Sequence, residues 1–211
     1  MTKALNKEVL SQAYYFSSSS IAAKGKIKFN KEIAKLHVDG LISVITSYQI
    51  SGAKIRFPKM GNLTTRLKLG REGRNPQTNE DAYITARVVS TFVEKTPKKE
   101  GLINNIKVMP TLLKSTLAKK ISSVELSEAL VDLFFSEIQK VKDGTYEKAE
   151  FRGFGSFKGV VRRARDVRNP KTGDSKPIES RIILRYKMSK EVKVNIQHLL
   201  VSNQNLLTAN T

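Results

Sequence analysis

Between Leu126 and Val141, the apolar residues Leu126, Leu130, Leu133, Phe134, Ile138 and Val141 recur at helical spacing. Ser122, followed three residues later by Glu125, predicts a capping box at the start of this helix, and Asp143-Gly144 predicts its end. An equivalent stripe of Ile33, Leu36, Leu41, Val44, Ile45 and Tyr48 follows Asn30. Both stripes read as core of the kind that two subunits share. Gly40 lies inside the first helix at a cost of about 1 kcal/mol against Ala, which points to a close helix crossing. His37 reads as a partly buried packing residue. A shorter helix is expected before each long one, near residues 18–26 and 111–119. Beyond the long helices, segments rich in Val, Ile, Phe and Arg predict strands at about 148–153, 156–166 and 176–187. The last two would form one long two-stranded ribbon.

The same order of elements occurs twice because the chain repeats itself. Arg74-Asn75-Pro76-Gln77-Thr78 returns as Arg168-Asn169-Pro170-Lys171-Thr172, displaced by 94 positions. The same displacement carries segment 56–92 onto 150–186 without a gap, pairing Phe57 with Phe151, Gly61 with Gly155, Arg71 with Arg165 and Arg87 with Arg181. Upstream the offset becomes 92, pairing Gly52 with Gly144 and Asn30 with Ser122. A lone Asn-Pro-x-Thr is only a turn signal; a long gapless repeat around two of them is a duplicated domain. The predicted division is an extension over 1–16, copy one over 17–95, a connector over 96–109, copy two over 110–201 and a tail over 202–211.

Charge then narrows the function. The 211 residues carry 38 Lys and Arg against 19 Asp and Glu, a formal net charge of +19, which points to a polyanionic partner. Both halves share the excess, with 18 basic and 8 acidic side chains up to Asn104 and 20 and 11 after it. In each half it concentrates in the strand region. Seven basic residues fall between Lys54 and Arg74 and seven between Lys158 and Lys176. With no Cys and two His, thiolate metal sites and cysteine nucleophiles are excluded, and little remains for a histidine site. Acids are scattered or placed singly beside bases, so no metal-dependent nuclease centre is predicted and the chain is read as a non-enzyme with no cofactor. No apolar run approaches the roughly 18 residues of a membrane span. A cytoplasmic protein is expected.

Helix, long helix, Gly153-Phe154-Gly155-Ser156-Phe157, a basic strand, Arg168-Asn169-Pro170-Lys171-Thr172-Gly173, a returning strand and a final helix together resemble the HU/integration-host-factor family. These are small bacterial histone-like proteins that bend DNA. The resemblance runs from about residue 18 to 92 and again from about 109 to 201. Copy one is more diverged, with Lys59-Met60-Gly61-Asn62-Leu63 in place of the glycine-aromatic turn, although it keeps Arg71, Arg74, Asn75 and Pro76. Copy two is expected to keep the family's last helix, over 189–201. In copy one, residues 96–101 leave room for one turn at most. The resemblance implies an α+β fold of two HU-like units, each with two helices, a three-stranded antiparallel sheet and a protruding β-ribbon arm. The two would form an intramolecular pseudo-dimer, so that one chain is the whole monomeric particle. Residues 1–16 could add an amphipathic turn or two, and Ser17–Ser20 reads as a flexible joint.

The resemblance also implies the partner and the contact residues. Double-stranded DNA would be met in copy one by Lys59, Arg66, Lys68, Arg71, Arg74, Asn75, Pro76 and Arg87. In copy two the set is Lys158, Arg162, Arg163, Arg165, Arg168, Asn169, Pro170, Lys171 and Arg181, with Lys190 and Lys193 on the last helix. Binding through phosphates is largely indifferent to sequence. The narrow minor groove suits Arg74 and Arg168, while Pro76 and Pro170 would wedge between base pairs, a mechanism that comes from the family. The protein would then lie with nucleoid or viral DNA. Two alternatives remain at this level: sequence-specific bending of the integration-host-factor kind, and packaging of RNA or a virion genome.

Overall fold

The computed structural model describes residues 4–94, 104, 106–168 and 173–202. Each copy contributes a pair of helices and a set of strands in the same order. Copy one holds β1 (Leu5–Asn6), α1 (Lys7–Lys24), α2 (Lys31–Ile50), β2 (Lys54–Phe57), β3 (Gly61–Lys68), β4 (Arg71–Arg74), β5 (Asp81–Ile84) and β6 (Arg87–Val93). Copy two holds β7 (Lys107–Val108), α3 (Pro110–Ile121), α4 (Val124–Lys142), β8 (Lys148–Phe151), β9 (Gly155–Arg162), β10 (Arg165–Arg168), β11 (Ser175–Ile178), β12 (Arg181–Met188) and α5 (Lys190–Ser202).

Helix ends follow local chemistry. The Asn30 side chain accepts the Ile33 N–H at 2.8 Å and opens α2 as expected. The cap of α4 is Ser123, one residue later than predicted, and it accepts the Leu126 N–H at 3.3 Å. Ser122 instead ends α3 in a left-handed conformation (φ 56°), so both serines serve the turn between the helices. Copy alignment through the long helices is therefore 93, with Val38, Leu41 and Ile45 buried like Val131, Phe134 and Ile138. The predicted stripe holds in α4, where Leu133 is half-buried and the rest are buried, but in α2 Leu36 is 68 % exposed while Ala34, Val38 and Ile42 are buried.

The N-terminus departs furthest from expectation. Ser17–Ser20 is no joint: α1 runs through it, and Ser18 is buried. The hydroxyls of Ser17 and Ser19 donate to the carbonyls of Tyr14 and Tyr15, back along the helix, and so satisfy themselves without breaking it. Asn6 caps α1 by accepting the Val9 N–H. Just before it, β1 pairs in parallel with β8 of copy two, Leu5 opposite Ala149. The segment before α3 does the reciprocal thing, since β7 pairs with β2 of copy one, Val108 opposite Ile55.

This exchange runs through the whole core. α1 packs on α4 as well as α2, and α3 on α2 as well as α4. Phe57 of copy one lies 5.4 Å, ring to ring, from Phe157 of copy two and 5.2 Å from Phe135; Phe92 meets Phe157 at 5.7 Å. Tyr186 of β12 donates to the Phe154 carbonyl at 2.7 Å and accepts from the buried Gln49 of α2 at 3.0 Å. Burial raises the Tyr186 phenol pKa, so the hydroxyl remains a donor.

The sheet orders are β7-β2-β3-β6 and β1-β8-β9-β12, with β6 against β12. A pseudo-twofold axis thus passes between these two strands. The final helix breaks the symmetry. α5 belongs to copy two by sequence but packs on β6 and α2 of copy one, where Ile196 and Leu199 cover Val88. Gln197 holds the free edge of β6, accepting the Val88 N–H at 3.1 Å and donating to its carbonyl at 2.9 Å. Among the described residues no helix takes the place of α5 on copy two, where Ile182, the counterpart of Val88, is half-buried and Val161, the counterpart of Leu67, is 64 % exposed. The turn of helix expected at 96–101 lies outside the described residues.

Two expectations concern stability. A Cβ built on Gly40 would sit 3.7 Å from Leu117 and Lys120, an ordinary contact, so the crossing is looser than the glycine suggests. Gly40→Ala is expected to raise stability by about 1 kcal/mol in urea denaturation. His37 is half-buried, with Nδ1 3.2 Å from the Tyr14 hydroxyl, and desolvation lowers its pKa. The unfolded chain then binds a proton more readily than the folded one. Its contribution is complete above the unfolded value of about 6.5 and is lost as pH falls below it. Measured between pH 7.5 and 5.5, the fall in unfolding free energy should be smaller in His37→Phe than in the parent.

Candidate nucleic-acid interface

Each arm grows out of the sheet in two stages. In copy one, β3 and β6 pair from Asn62–Val93 to Lys68–Arg87; two rungs are skipped, and β4 and β5 pair from Arg71–Ile84 to Arg74–Asp81. Copy two repeats this with β9 and β12 to Arg162–Arg181, then β10 and β11 from Arg165–Ile178. The expected long ribbon is therefore interrupted. Its register still carries across the gap, because the rungs on either side are three residues apart on both strands.

The foot of each arm is set by a glycine. Gly61 (φ 148°) and Gly155 (φ 151°) begin β3 and β9, and a Cβ there would meet the carbonyl oxygens of Val93 and Lys187 at 2.5 and 2.4 Å. The diverged turn of copy one keeps this backbone. Met60 is buried where copy two buries Phe154, and Lys59 takes the left-handed φ of 59° that Gly153 takes at 85°.

Alternation along the strands sorts the basic residues. In copy two Phe157 faces the core, so Lys158 and Arg162 face outward with their cross-strand partners Arg185 and Arg181. In copy one Leu63 faces the core, and Arg66, Lys68 and Arg87 share the outward face. Farther out, alternation places Arg165 on one face of the β10 ribbon and Arg168 on the other; Arg71 and Arg74 divide likewise on β4. Arg163 lies exposed at the gap and, with Arg162, Arg165, Arg181 and Glu179, lines a cavity of about 400 Å³. Both arms thus carry cations on both faces.

The tip of copy one is fully described. Asn75 N–H donates to the Glu80 carbonyl at 2.9 Å, Asn79 N–H to the Asn75 carbonyl at 2.8 Å, and the Asn75 side chain accepts from Gln77 N–H at 3.0 Å. Asn79 is left-handed at φ 62°, as is Gly173 at φ 78° in copy two, which matches the equivalence of these positions in the repeat. Pro76 stands exposed on this turn. Arg74 lies 3.7 Å from Asp81, and Arg168 donates to the Gly173 carbonyl at 2.9 Å. Asn169, Pro170 and Lys171 lie outside the described residues.

Lys190 and Lys193 are exposed on the first turn of α5, apart from the ribbons but at the foot of arm two, where Ser189 N–H donates to the Phe154 carbonyl at 3.1 Å. Sequence reasoning missed Arg185 on the outward face. Alternation of Arg181, Ile183, Arg185 and Lys187 along one strand was the signal that could have found it. Also missed were Lys54, Arg56 and Lys107, because the pairing of β7 with β2 that gathers them is a long-range contact. Among the described residues no group of three or more His, Asp or Glu side chains is placed to hold a metal, and no helix is long and apolar enough to cross a membrane.

Comparison with known proteins is specific. A family model described as bacterial DNA-binding protein matches twice, over residues 18–102 and 98–197. Integration host factor subunit alpha of Actinobacillus pleuropneumoniae is 37% identical over 83 residues, which is 39% of this chain and 84% of that protein. The same subunit of Neisseria meningitidis is 35% identical over 94 residues, 42% of this chain and 93% of the relative. Among solved structures, an Anabaena HU–DNA cocrystal is 26% identical and covers 39% of this chain and 89% of that one, with a TM-score of 0.34.

The glycine at the foot of the arm yields a direct test. Gly155→Ala must move backbone as well as accept an unfavourable φ, so it should cost at least about 1–3 kcal/mol in urea denaturation.

Proposed function

The chain belongs to the bacterial DNA-binding protein family, and we propose on that footing that one chain binds and bends double-stranded DNA with little sequence preference. Carrying this reading is the pair of arms, each with cations on both faces and an Arg-Asn-Pro sequence at its tip, mounted on one shared core. A ribbon of that kind can enter a groove and neutralise phosphates along either wall. Narrow minor grooves attract arginine, which suits Arg74 and Arg168 beside the tips. The Arg74–Asp81 pair is exposed and weak enough to exchange for phosphate. An exposed Pro76, rigid and without an N–H to desolvate, suits a wedge between base pairs, and Pro170 would act likewise on the second arm. The minor groove and the wedge follow the family's mechanism. Bending a site of 20–30 base pairs by 40–90° costs on the order of 1–6 kcal/mol, which phosphate contacts must offset.

The role is architectural and needs no cofactor or small-molecule substrate. The protein would reside with its DNA, in a nucleoid or on a viral genome. Because each chain has two arms and a core made of both copies, the working unit is a monomer. Its mass in solution without DNA should be that of one chain; a persistent two-chain species at micromolar concentration would contradict this.

Binding and bending separate by mutation. The double variant Pro76→Ala/Pro170→Ala keeps the phosphate attraction, so it should bind straight duplex nearly as well as the parent but bend it less. It should also prefer nicked duplex less. Arg74→Ala/Arg168→Ala should weaken binding to every duplex, and Lys190→Gln or Lys193→Gln should flatten the log affinity against log salt plot by about 0.9 per lost contact. Energy transfer between the ends of a short labelled duplex reads the bend. A full bend from the double Pro variant would reduce both prolines to turn residues, and tighter binding to duplex RNA would favour the packaging alternative.

A further inference from the structure

The two outer sheet edges, far from the pseudo-twofold axis, differ in electrostatic character: one is basic and the other mixed. At copy one's edge, Lys54 and Lys107 lie side by side on the paired strands β2 and β7. They line a cavity of about 410 Å³ together with Arg56 and Lys59. Glu94 is the one acid lining it among the described residues, and it is engaged 3.6 Å away by Lys142. Ile55 is buried between Lys54 and Arg56, so both point away from the core, on the face that carries Arg66, Lys68 and Arg87 out to the arm. The cations are close enough to disturb one another: the Lys54 pKa is lowered by desolvation and then by Lys107, Arg56 and Arg66.

At the corresponding places copy two keeps Lys148 for Lys54 but neutralises its cations with acids. Glu150 stands where copy one has Arg56 and holds Lys148 at 2.8 Å. Glu147, in the extra loop between Gly144 and Lys148, reaches Lys158 at 3.8 Å. Ala4 takes the place of Lys107 before β1, and Lys7 at the start of α1 is held by Asp39 at 2.7 Å. The basic track therefore runs from arm one to the edge, whereas on the other side acids hold Lys148, Lys158 and Lys7 and leave Arg152 as an exposed cation. Cations i and i+2 on a strand are about 6.6 Å apart and adjacent strands about 4.8 Å. Spread across two strands and a turn, the group at copy one's edge suits a succession of phosphates better than one compact anion.

We infer that duplex DNA held by the arms is also gripped along the outer edge of copy one by Lys54, Arg56 and Lys107, and is not gripped along the outer edge of copy two. The protein thus holds its duplex asymmetrically. This rests on the DNA-binding reading above and adds a direction to it.

The test uses the full chain and random-sequence duplexes of increasing length, up to about 30 base pairs, with affinity measured against salt. Three variants are compared: Lys54→Gln/Arg56→Gln/Lys107→Gln at one edge, Lys148→Gln/Arg152→Gln at the other, and Arg162→Gln/Arg181→Gln at the arm. On the longest duplex the first should lower the salt slope by about 0.9 per lost phosphate contact, up to about 2.7 in all. It should change nothing on a duplex too short to pass the arms. The second should match the parent at every length, and the third should lose slope at every length. Parental slopes from the first variant, or equal losses from both edges, overturn the asymmetric grip while an effect at the arm leaves DNA binding standing. A parent that shows no salt-dependent binding to DNA, or that prefers duplex RNA of the same lengths, overturns both.

Discussion

Neither repeat can bury its own apolar face. Phe57 of copy one finds its partners in Phe135 and Phe157 of copy two, and each leading helix lies across the long helix of the other copy. A large buried side chain contributes about 1.5–3 kcal/mol, so separating the copies would expose much of the core at once. Joining them in one chain makes this exchange independent of concentration, since the partner is always tethered. The N-terminal segment shows how far it goes: β1 before α1 and β7 before α3 each complete the other copy's sheet.

A rigid shared base is what gives the arms a defined relation to each other. Their inner halves are the outer parts of sheet strands whose core-facing residues, Leu63 and Phe157, are fully buried. Beyond the skipped rungs only two strands continue, with exposed side chains on both faces of the copy-two ribbon. That arrangement keeps the cations wet, and it gives the outer ribbons little to hold them except their own ladders. A narrow two-stranded ribbon on a packed stem suits the proposed entry into a groove.

Duplication also freed the copies to diverge. α5 covers only the β6 side, leaving Val161 exposed at its counterpart. The same freedom is visible in charge. Arg56 and Glu150 occupy equivalent positions on β2 and β8, so at this position the two edges present opposite signs. In a true homodimer one residue would have to serve both places.

Much of the fold was legible from local pattern. The long helices and the turn at Asn75-Pro76 follow from period, capping and turn chemistry, which act over a few residues. The repeat carried the same reading from one copy to the other, and with it the arm residues from Arg66 to Arg87 and from Lys158 to Arg181. Where local pattern was ambiguous it misled. Four consecutive serines read as a joint, yet packing of Leu10 and Tyr14 against copy two holds the helix through them. Of two adjacent serines the spacing to Glu125 picked Ser122 as the α4 cap, one residue early, and the turn geometry chose Ser123. Composition and spacing thus determined which elements exist and that the chain is built to meet a polyanion. Only the tertiary structure decided that β1 and β7 each complete the other copy's sheet, that α5 lies on copy one, and that Lys54 and Lys107 meet at one edge. These depend on contacts between residues tens of positions apart, where burial of apolar surface, and no short-range preference, selects the partner.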